Sequence, residues 1–207
     1  LKRLVIPFAG LPEETRTLLL EYPSIQVHNL HHNARTTAEL GLALLLAASK
    51  NLLGYDRALR SGDWTPRYEG DPGILLQGRS VVVLGFGAVG REAGLLCRAL
   101  GMDVVGIRSS PEPGETWRGI HVRPSSLLEE ELRRADVLLL AVPLTDDTRG
   151  MIGERQLKLL RTPSIVINIA RGPVIDEKAL YAALTDGTLY AAGLDVWYSY
   201  PSSRESR

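Results

Sequence analysis

Val81-Val-Val-Leu-Gly-Phe-Gly-Ala-Val-Gly90 carries four apolar residues straight into Gly85-x-Gly87-x-x-Gly90. A run of that length, rich in valine, suits a strand buried on both faces, as in a parallel sheet. Each glycine then has its own task in a strand-turn-helix unit. Gly85 permits the tight turn, Gly87 lets the backbone come close to a pyrophosphate, and Gly90 lets the helix pack against the strand. Residues 91–100 repeat apolar positions at helical spacing, and Gly101 closes them. A helix that begins here offers unpaired N–H groups and a partial positive charge to an anion. The turn of Gly85, Phe86, Gly87 and Gly90 is therefore expected to cradle the phosphates of a dinucleotide. Glycines gather in any tight turn, and it is the strand before and the helix after that set this one apart.

Toward the C-terminus the same alternation continues. Strands are expected at 81–84, 104–107, 137–141, 165–169 and 192–196, with helices near 89–100, 126–134, 153–160 and 177–185. Asp176 is placed to cap the last helix and Gly187 to end it. Strands alternating with helices imply an α/β, Rossmann-type, doubly wound parallel sheet. Toward the N-terminus, a strand at 4–8, a helix at 12–21 and a strand at 25–28 suggest part of a second α/β, flavodoxin-like domain. Thr36-x-x-Glu39 has the form of a capping box. It is expected to open a long helix reaching through Leu53 towards Leu59, stopped by Ser61-Gly-Asp63. Residues 64–73 are rich in proline and glycine and are expected to be a linker. The division follows: residues 1–73 for the partial second domain with its connecting helix, residues 74–207 for the nucleotide domain.

Composition narrows the function. Of 207 residues, 44% are hydrophobic and 23% charged, which supplies a globular core. Lys plus Arg and Asp plus Glu both number 24, so no electrostatic footprint favours nucleic acid or an anionic membrane. The longest apolar run, residues 40–48, is far short of the roughly 20 residues a membrane helix needs. One cysteine, Cys97, rules out an internal disulfide framework and suits a reducing cytoplasm; within its helix it is expected to be a small core residue. His28, His31 and His32 cluster, yet with no cysteine and few acids nearby a solvated loop explains them better than a metal. His121 follows a Pro/Gly-rich stretch, residues 111–119, and is expected to be exposed.

Three blocks make the second half resemble the D-isomer-specific 2-hydroxyacid dehydrogenases: Val83-Leu-Gly-Phe-Gly-Ala-Val-Gly90, Ala135-Asp-Val-Leu-Leu-Leu-Ala-Val-Pro-Leu-Thr145, and Asn168-Ile-Ala-Arg-Gly-Pro-Val-Ile-Asp-Glu-Lys-Ala-Leu180 continuing to Gly193-Leu-Asp-Val196. Pro7-Phe-Ala-Gly10 and Thr37-Ala-Glu-Leu40 resemble the edge of that family's substrate domain and its interdomain helix. The resemblance implies a catalytic role for Arg171, whose planar fork would hold an α-keto-acid carboxylate and polarise the C2 carbonyl. It implies that the backbone amides of Ala9 and Gly10 receive the substrate carboxylate. Ala88 and Val89 would lie at the pyrophosphate, Val142, Pro143 and Thr148 would wall the adenosine side, and Ile169 and Ala170 would lie at the nicotinamide ribose. Asp195 would bond the nicotinamide carboxamide. The family's likeness also implies a homodimer in the full-length protein.

Charge argues the cofactor. Many NAD enzymes of this fold place an acid at the end of the second strand, for the ribose 2′-hydroxyl. Here that position holds Arg108, followed by Ser109 and Ser110, and arginine suits a 2′-phosphate. NADP is therefore expected over NAD. The chain departs from the family at Tyr200, where a glutamate is expected 29 residues after Arg171, and no histidine follows in a Pro-His motif. Relative to the family, the first substrate-domain strands and everything beyond the Asp195 region are missing, so the chain is expected to be a piece of a longer protein that binds cofactor better than it turns over substrate. The leading expectation is an oxidoreductase passing hydride between NAD(P)H and a small 2-keto acid resembling glyoxylate or hydroxypyruvate. The alternatives are a catalytically silent NAD(P)-binding regulatory or scaffold protein and, more weakly, a Rossmann enzyme using S-adenosylmethionine.

Overall fold

A computed structural model of the chain describes residues 2–6, 13–30, 32–70 and 73–201. Its centre is β3, Ser80–Leu84, whose apolar residues are all buried. β4 (Asp103–Arg108) pairs with it on one side and β7 (Val137–Leu140) on the other, both parallel. β8 (Ile165–Asn168) and β9 (Ala191–Leu194) extend the sheet beyond β7. β6 (Ile120–Pro124) lies parallel to β4, and β5 (Thr116–Trp117) closes the far edge antiparallel to β6. The order is β5-β6-β4-β3-β7-β8-β9. Counting only the six parallel strands in chain order, the sheet runs 3-2-1-4-5-6, the doubly wound Rossmann arrangement.

The period of two in the strands sends alternate side chains to opposite faces, and each face has its own core. Val81, Val83, Leu139 and Ile167 pack with Ala38 and Leu45 of α2 (Ala34–Ser49) and with Ala93 and Cys97 of α5 (Ala88–Ala99). Val82, Leu84, Leu138 and Val166 pack with Leu132 of α6 (Leu128–Leu132), Leu157 of α7 (Glu154–Leu157) and Leu180 of α8 (Glu177–Thr185). Helices on both faces explain why β3, β7 and β8 read as unbroken apolar runs rather than alternating ones. Cys97 sits inside the first of these cores, and its burial pushes the thiol up to about 12. The strand order reverses between β3 and β7, so the carboxyl ends of these strands flank the switch point where such sheets bind ligands.

Near the N-terminus, β1 (Arg3–Ile6) and β2 (Gln26–Asn29) form a separate two-stranded parallel sheet, with α1 (Glu13–Leu20) between them in sequence. Several expectations are corrected. α2 begins at Ala34, not at Thr36, so Thr36 and Glu39 lie inside the helix and form no capping box. The long helix is two helices: Asn51 takes a left-handed φ of 47°, separating α2 from α3 (Leu52–Arg60). Residue 74 explains the break, since Ile74 N donates to Ser49 O at 2.7 Å and Lys50 Nζ donates to Ile74 O at 2.7 Å. The stretch expected as a linker contains α4 (Thr65–Glu69). The proline- and glycine-rich segment ahead of residue 120 hides a hairpin, in which Arg118 and Gly119 take φ of 48° and 80° to join β5 to β6. His121 is exposed as expected, but on β6. Asp176 does cap α8, its carboxylate accepting from Ala179 N at 2.8 Å.

Candidate functional site

The carboxyl ends of the parallel strands gather the chemistry into one edge. At the end of β3, Gly85 has φ +98° and a Cβ there would stand 2.5–2.6 Å from the backbone of Ala141 and Val142. Gly85 N and Phe86 N both donate to Ile107 O at 2.9 Å, fixing the turn to the end of β4. The Phe86 ring is buried against Gly106 and meets Trp117 edge-on at 5.8 Å. It is thus a wedge between β4 and α5. Gly87 stands at the N-cap of α5, and a Cβ on it would meet nothing within 4 Å. A Cβ on Gly90 would instead fall inside the contact distance of Gly85 O. The amides of Ala88, Val89 and Gly90 open the helix and have no partner within it, as its geometry requires. Open space in front of a helix start, where the chain has dispensed with a side chain, fits the diphosphate of a dinucleotide.

At the end of β4 the charge is positive. Arg108 Nη2 reaches Glu115 at 3.1 Å and the Ser110 carbonyl at 3.0 Å, while Ser109 is exposed. Arg91, on the first turns of α5, stands 3.8 Å from the same Glu115 carboxylate and 5.4 Å from the centre of the Trp117 ring. The Nε atoms of Arg91 and Arg108 are both buried and without an acceptor. Buried N–H groups without acceptors are rare in proteins, and these two belong to arginines at the start of α5 and the end of β4. The residues present therefore fit a dinucleotide.

Beyond the switch point, β7 continues into Val142, Pro143 and a loop closed by Thr148, whose hydroxyl donates to Pro143 O at 2.7 Å and accepts from Thr145 N at 2.8 Å. Thr148 thus shapes the wall by holding its own loop. At the end of β8, Ile169 and Ala170 are buried. Arg171 follows, its side chain exposed at the edge and one Nη donating to Ala170 O at 2.7 Å. Asn168, buried, ties this turn together: its amide donates to Arg171 O at 3.1 Å and its oxygen accepts from Ala170 N at 3.0 Å. Asp195 leaves β9 on the same edge with its amide donating to Asn168 O at 3.0 Å and its carboxylate exposed.

The chain after Asp195 returns across this turn. A Cβ on Gly172 would collide with the backbone of Trp197 and Tyr198, so only glycine admits the crossing. Tyr200, in place of the expected glutamate, accepts from Trp197 N at 3.1 Å through its hydroxyl. The Tyr198 hydroxyl is raised to about 12, first by burial and then by the charges of Glu177 and Asp176. The structure thus brings Gly85, Phe86, Gly87, Ala88, Val89, Gly90, Arg108, Ser109, Val142, Pro143, Thr148, Ile169, Ala170, Arg171 and Asp195 to one edge. Ala9, Gly10 and His31 lie outside the described residues. Among the described residues no group of three His, Cys, Asp or Glu side chains gathers as a metal site. A cavity of about 410 Å³, lined by Ser80, Asp103, His121 and Glu131, lies at the opposite, amino-terminal end of the strands.

Sequence reading missed Asn168, Arg91, Trp117 and Glu115. A polar residue ending the apolar run 165–167 was signal enough for the first. Glu115 gave none, because its partners depend on a hairpin hidden in a turn-rich segment.

The family model for the D-isomer specific 2-hydroxyacid dehydrogenase NAD-binding domain matches residues 42–207. The chain belongs to that family. As a member of the 2-hydroxyacid dehydrogenases, it is 38% identical over 175 residues to the glyoxylate reductase of Thermococcus kodakarensis, covering 82% of this chain and 52% of that one. It is also 38% identical over 167 residues to the D-3-phosphoglycerate dehydrogenase of Methanocaldococcus jannaschii, covering 80% of this chain and 31% of that one. The chain thus spans about half the length of the glyoxylate reductase and just under a third of the D-3-phosphoglycerate dehydrogenase. Among solved structures it superposes with a TM-score of 0.80 on a D-isomer-specific 2-hydroxyacid dehydrogenase of Xanthobacter autotrophicus Py2 in complex with NADPH and MES, at 30% identity, over 100% of this chain and 64% of that one.

Proposed function

We propose that this chain is the nucleotide-binding part, with a portion of the substrate-binding part, of an oxidoreductase that reduces a small 2-keto acid such as glyoxylate or hydroxypyruvate. The observation that carries the reading is the meeting of Arg171, Asp195 and the open N-terminus of α5 on one edge of a doubly wound sheet. A reduced nicotinamide bound at that edge would supply a hydride to the keto carbon, and the alkoxide left on oxygen would take its proton from solvent. The chain's own work is placement. Amides 88–90 would hold the diphosphate, and Asp195 would offer an acceptor to the carboxamide and so orient the nicotinamide. Arg171, presented by the Asn168 turn, grips the carboxylate in two parallel bonds and leaves its charge beside the carbonyl oxygen, where negative charge develops.

The cofactor in this reading is NADP(H), with NAD(H) also admitted. Its support is Arg108 at the end of β4 together with the two guanidinium N–H groups that lack acceptors. The division at residues 73/74, a homodimer through the helices preceding it, and a cytoplasmic setting in which Cys97 stays reduced belong to the same reading.

The test uses the intact protein from its own gene, with glyoxylate and NADPH oxidation followed by absorbance. Arg171→Ala should lower kcat/KM about 10²–10³-fold, the loss expected for one partner of a desolvated charge pair. NADPH affinity should move less than about threefold, since Arg171 is assigned to the acid and not the nucleotide. A variant that keeps its turnover would remove Arg171 from the chemistry. Tyr200 favours a second reading, cofactor binding without turnover, because a phenol engaged by Trp197 N supplies no carboxylate. Tight NADPH binding with no oxidation by any keto acid would select it.

A further inference from the structure

Glu115 reaches into the basic corner of the cofactor edge from the hairpin. Its side chain is 17% exposed. One carboxylate oxygen meets Arg108 Nη2 at 3.1 Å and accepts from Glu112 N at 3.1 Å, while the other stands 3.8 Å from Arg91 Nη2. Two residues on, the Trp117 ring has the guanidinium groups of Arg91 and Arg118 at 5.4 and 5.2 Å from its centre and braces the hairpin on Phe86. Arg98 ties the hairpin turn down by donating to Arg118 O. The hairpin is therefore anchored independently of Glu115. Its one carboxylate is shared between two arginines whose Nε–H groups still lack acceptors.

We propose that Glu115 is the residue that sets the choice between a 2′-hydroxyl and a 2′-phosphate on the adenosine ribose. The proposal rests on the dinucleotide reading above and deepens it. Glu115 acts as an internal anion on Arg108. A ribose hydroxyl can donate to that carboxylate and leave the ion pair standing. A 2′-phosphate brings about two negative charges of its own, so it must move the carboxylate off Arg108 or sit beside it. What it gains in exchange is the Arg108 guanidinium that the carboxylate releases. Glu115 is then what keeps NADH admissible at a corner whose arginines would otherwise select NADPH.

The measurement is the ratio of NADH to NADPH dissociation constants for this chain, read by quenching of its tryptophan fluorescence and confirmed by calorimetry. Glu115→Gln keeps the size of the side chain and removes the charge. It should tighten NADPH by about tenfold, the worth of one charge-assisted hydrogen bond, and weaken NADH. Adding Arg108→Gln to that variant should cancel the gain, because the two residues act on the same phosphate. A ratio that stays within about twofold of the parent's would overturn the proposal. So would an equal weakening of both cofactors, which would mark Glu115 as a brace for the hairpin only. If the unsubstituted chain binds neither dinucleotide, the dinucleotide reading itself has failed, an outcome distinct from a constant ratio.

Discussion

Two glycines of one turn separate folding from binding at the level of single atoms. Gly85 needs φ +98°, and a Cβ there would press on the backbone of Ala141 and Val142 at 2.5–2.6 Å. Neither obstacle can give way without shifting β7. Gly85→Ala should therefore cost about 2–4 kcal/mol of stability, combining backbone strain with overpacking. Gly87 has φ −87°, which any residue adopts, and its missing Cβ faces open space. Gly87→Ala should leave stability within about 0.5 kcal/mol, as surface substitutions do. Its methyl would nonetheless stand where the diphosphate must approach, so NADPH affinity should fall by about tenfold or more. Urea unfolding and fluorescence titration of the two variants check the pair. If Gly87→Ala binds as well as the parent, the space in front of α5 is not where the phosphates go.

At the scale of elements, the Arg171 turn is held by one buried amide. Asn168 ends β8 and satisfies Ala170 N and Arg171 O together, so the strand hands its direction to the arginine through two hydrogen bonds. Asn168→Ala leaves both groups without that partner at a buried site. It should cost about 1–3 kcal/mol, and at roughly 2–4 °C per kcal/mol for a chain of this size the melting temperature should drop by several degrees. In the full-length protein the substrate KM should rise with the loosened arginine while NADPH affinity holds. Unchanged melting would mean that Asn168 is not what holds the turn. The turn also shows what could be read from sequence. Val81–Gly90 and the strands at β7 and β8 were legible because burial on both faces leaves an unbroken apolar run, and the glycine spacing needs no partner to be recognised. Thr36-x-x-Glu39 misled because α2 starts two residues earlier, at Ala34, and the helix break at Asn51 was invisible because Ile74, far along the chain, holds it. β6 lies in plain pattern, since Ile120-His-Val-Arg alternates apolar and polar residues, but it follows a turn-rich stretch and is not among the strands expected from sequence. Glu115 could not be reached at all, since its partners sit on α5 and β4 and meet only once the hairpin closes.

Across the whole molecule, the helices laid on the sheet and the helix that follows α2 are packed very differently. α5 and α2 bury small residues against the sheet, with Gly41 close to Ile169 and Gly193 close to Leu44, which lets α2 lie near the strands. α3 follows α2 directly, yet none of its residues is buried. Leu52, Leu53 and Leu59 are each more than half exposed, and so are Trp64, Tyr68 and Leu75 around α4. Soluble monomers rarely leave so many large apolar side chains exposed along one stretch of chain, and exposed apolar surface of this kind marks association. A nine-residue helix with no buried side chain also has little to hold it in water, because short helices depend on packing of an apolar face. The occupant that this argument favours is a second copy, whose own α3 would present the same leucines across a twofold axis. Sedimentation across the micromolar range should show a dimer. Leu53→Glu with Leu59→Glu should convert it to a monomer without loss of the sheet, because both side chains stand in solvent in the single chain, Leu53 at 70% exposure. The melting temperature of the parent should rise with protein concentration and that of the double variant should not, since association stabilises only what it binds. A parent that sediments as a monomer at every concentration would leave the α3 leucines unexplained by self-association.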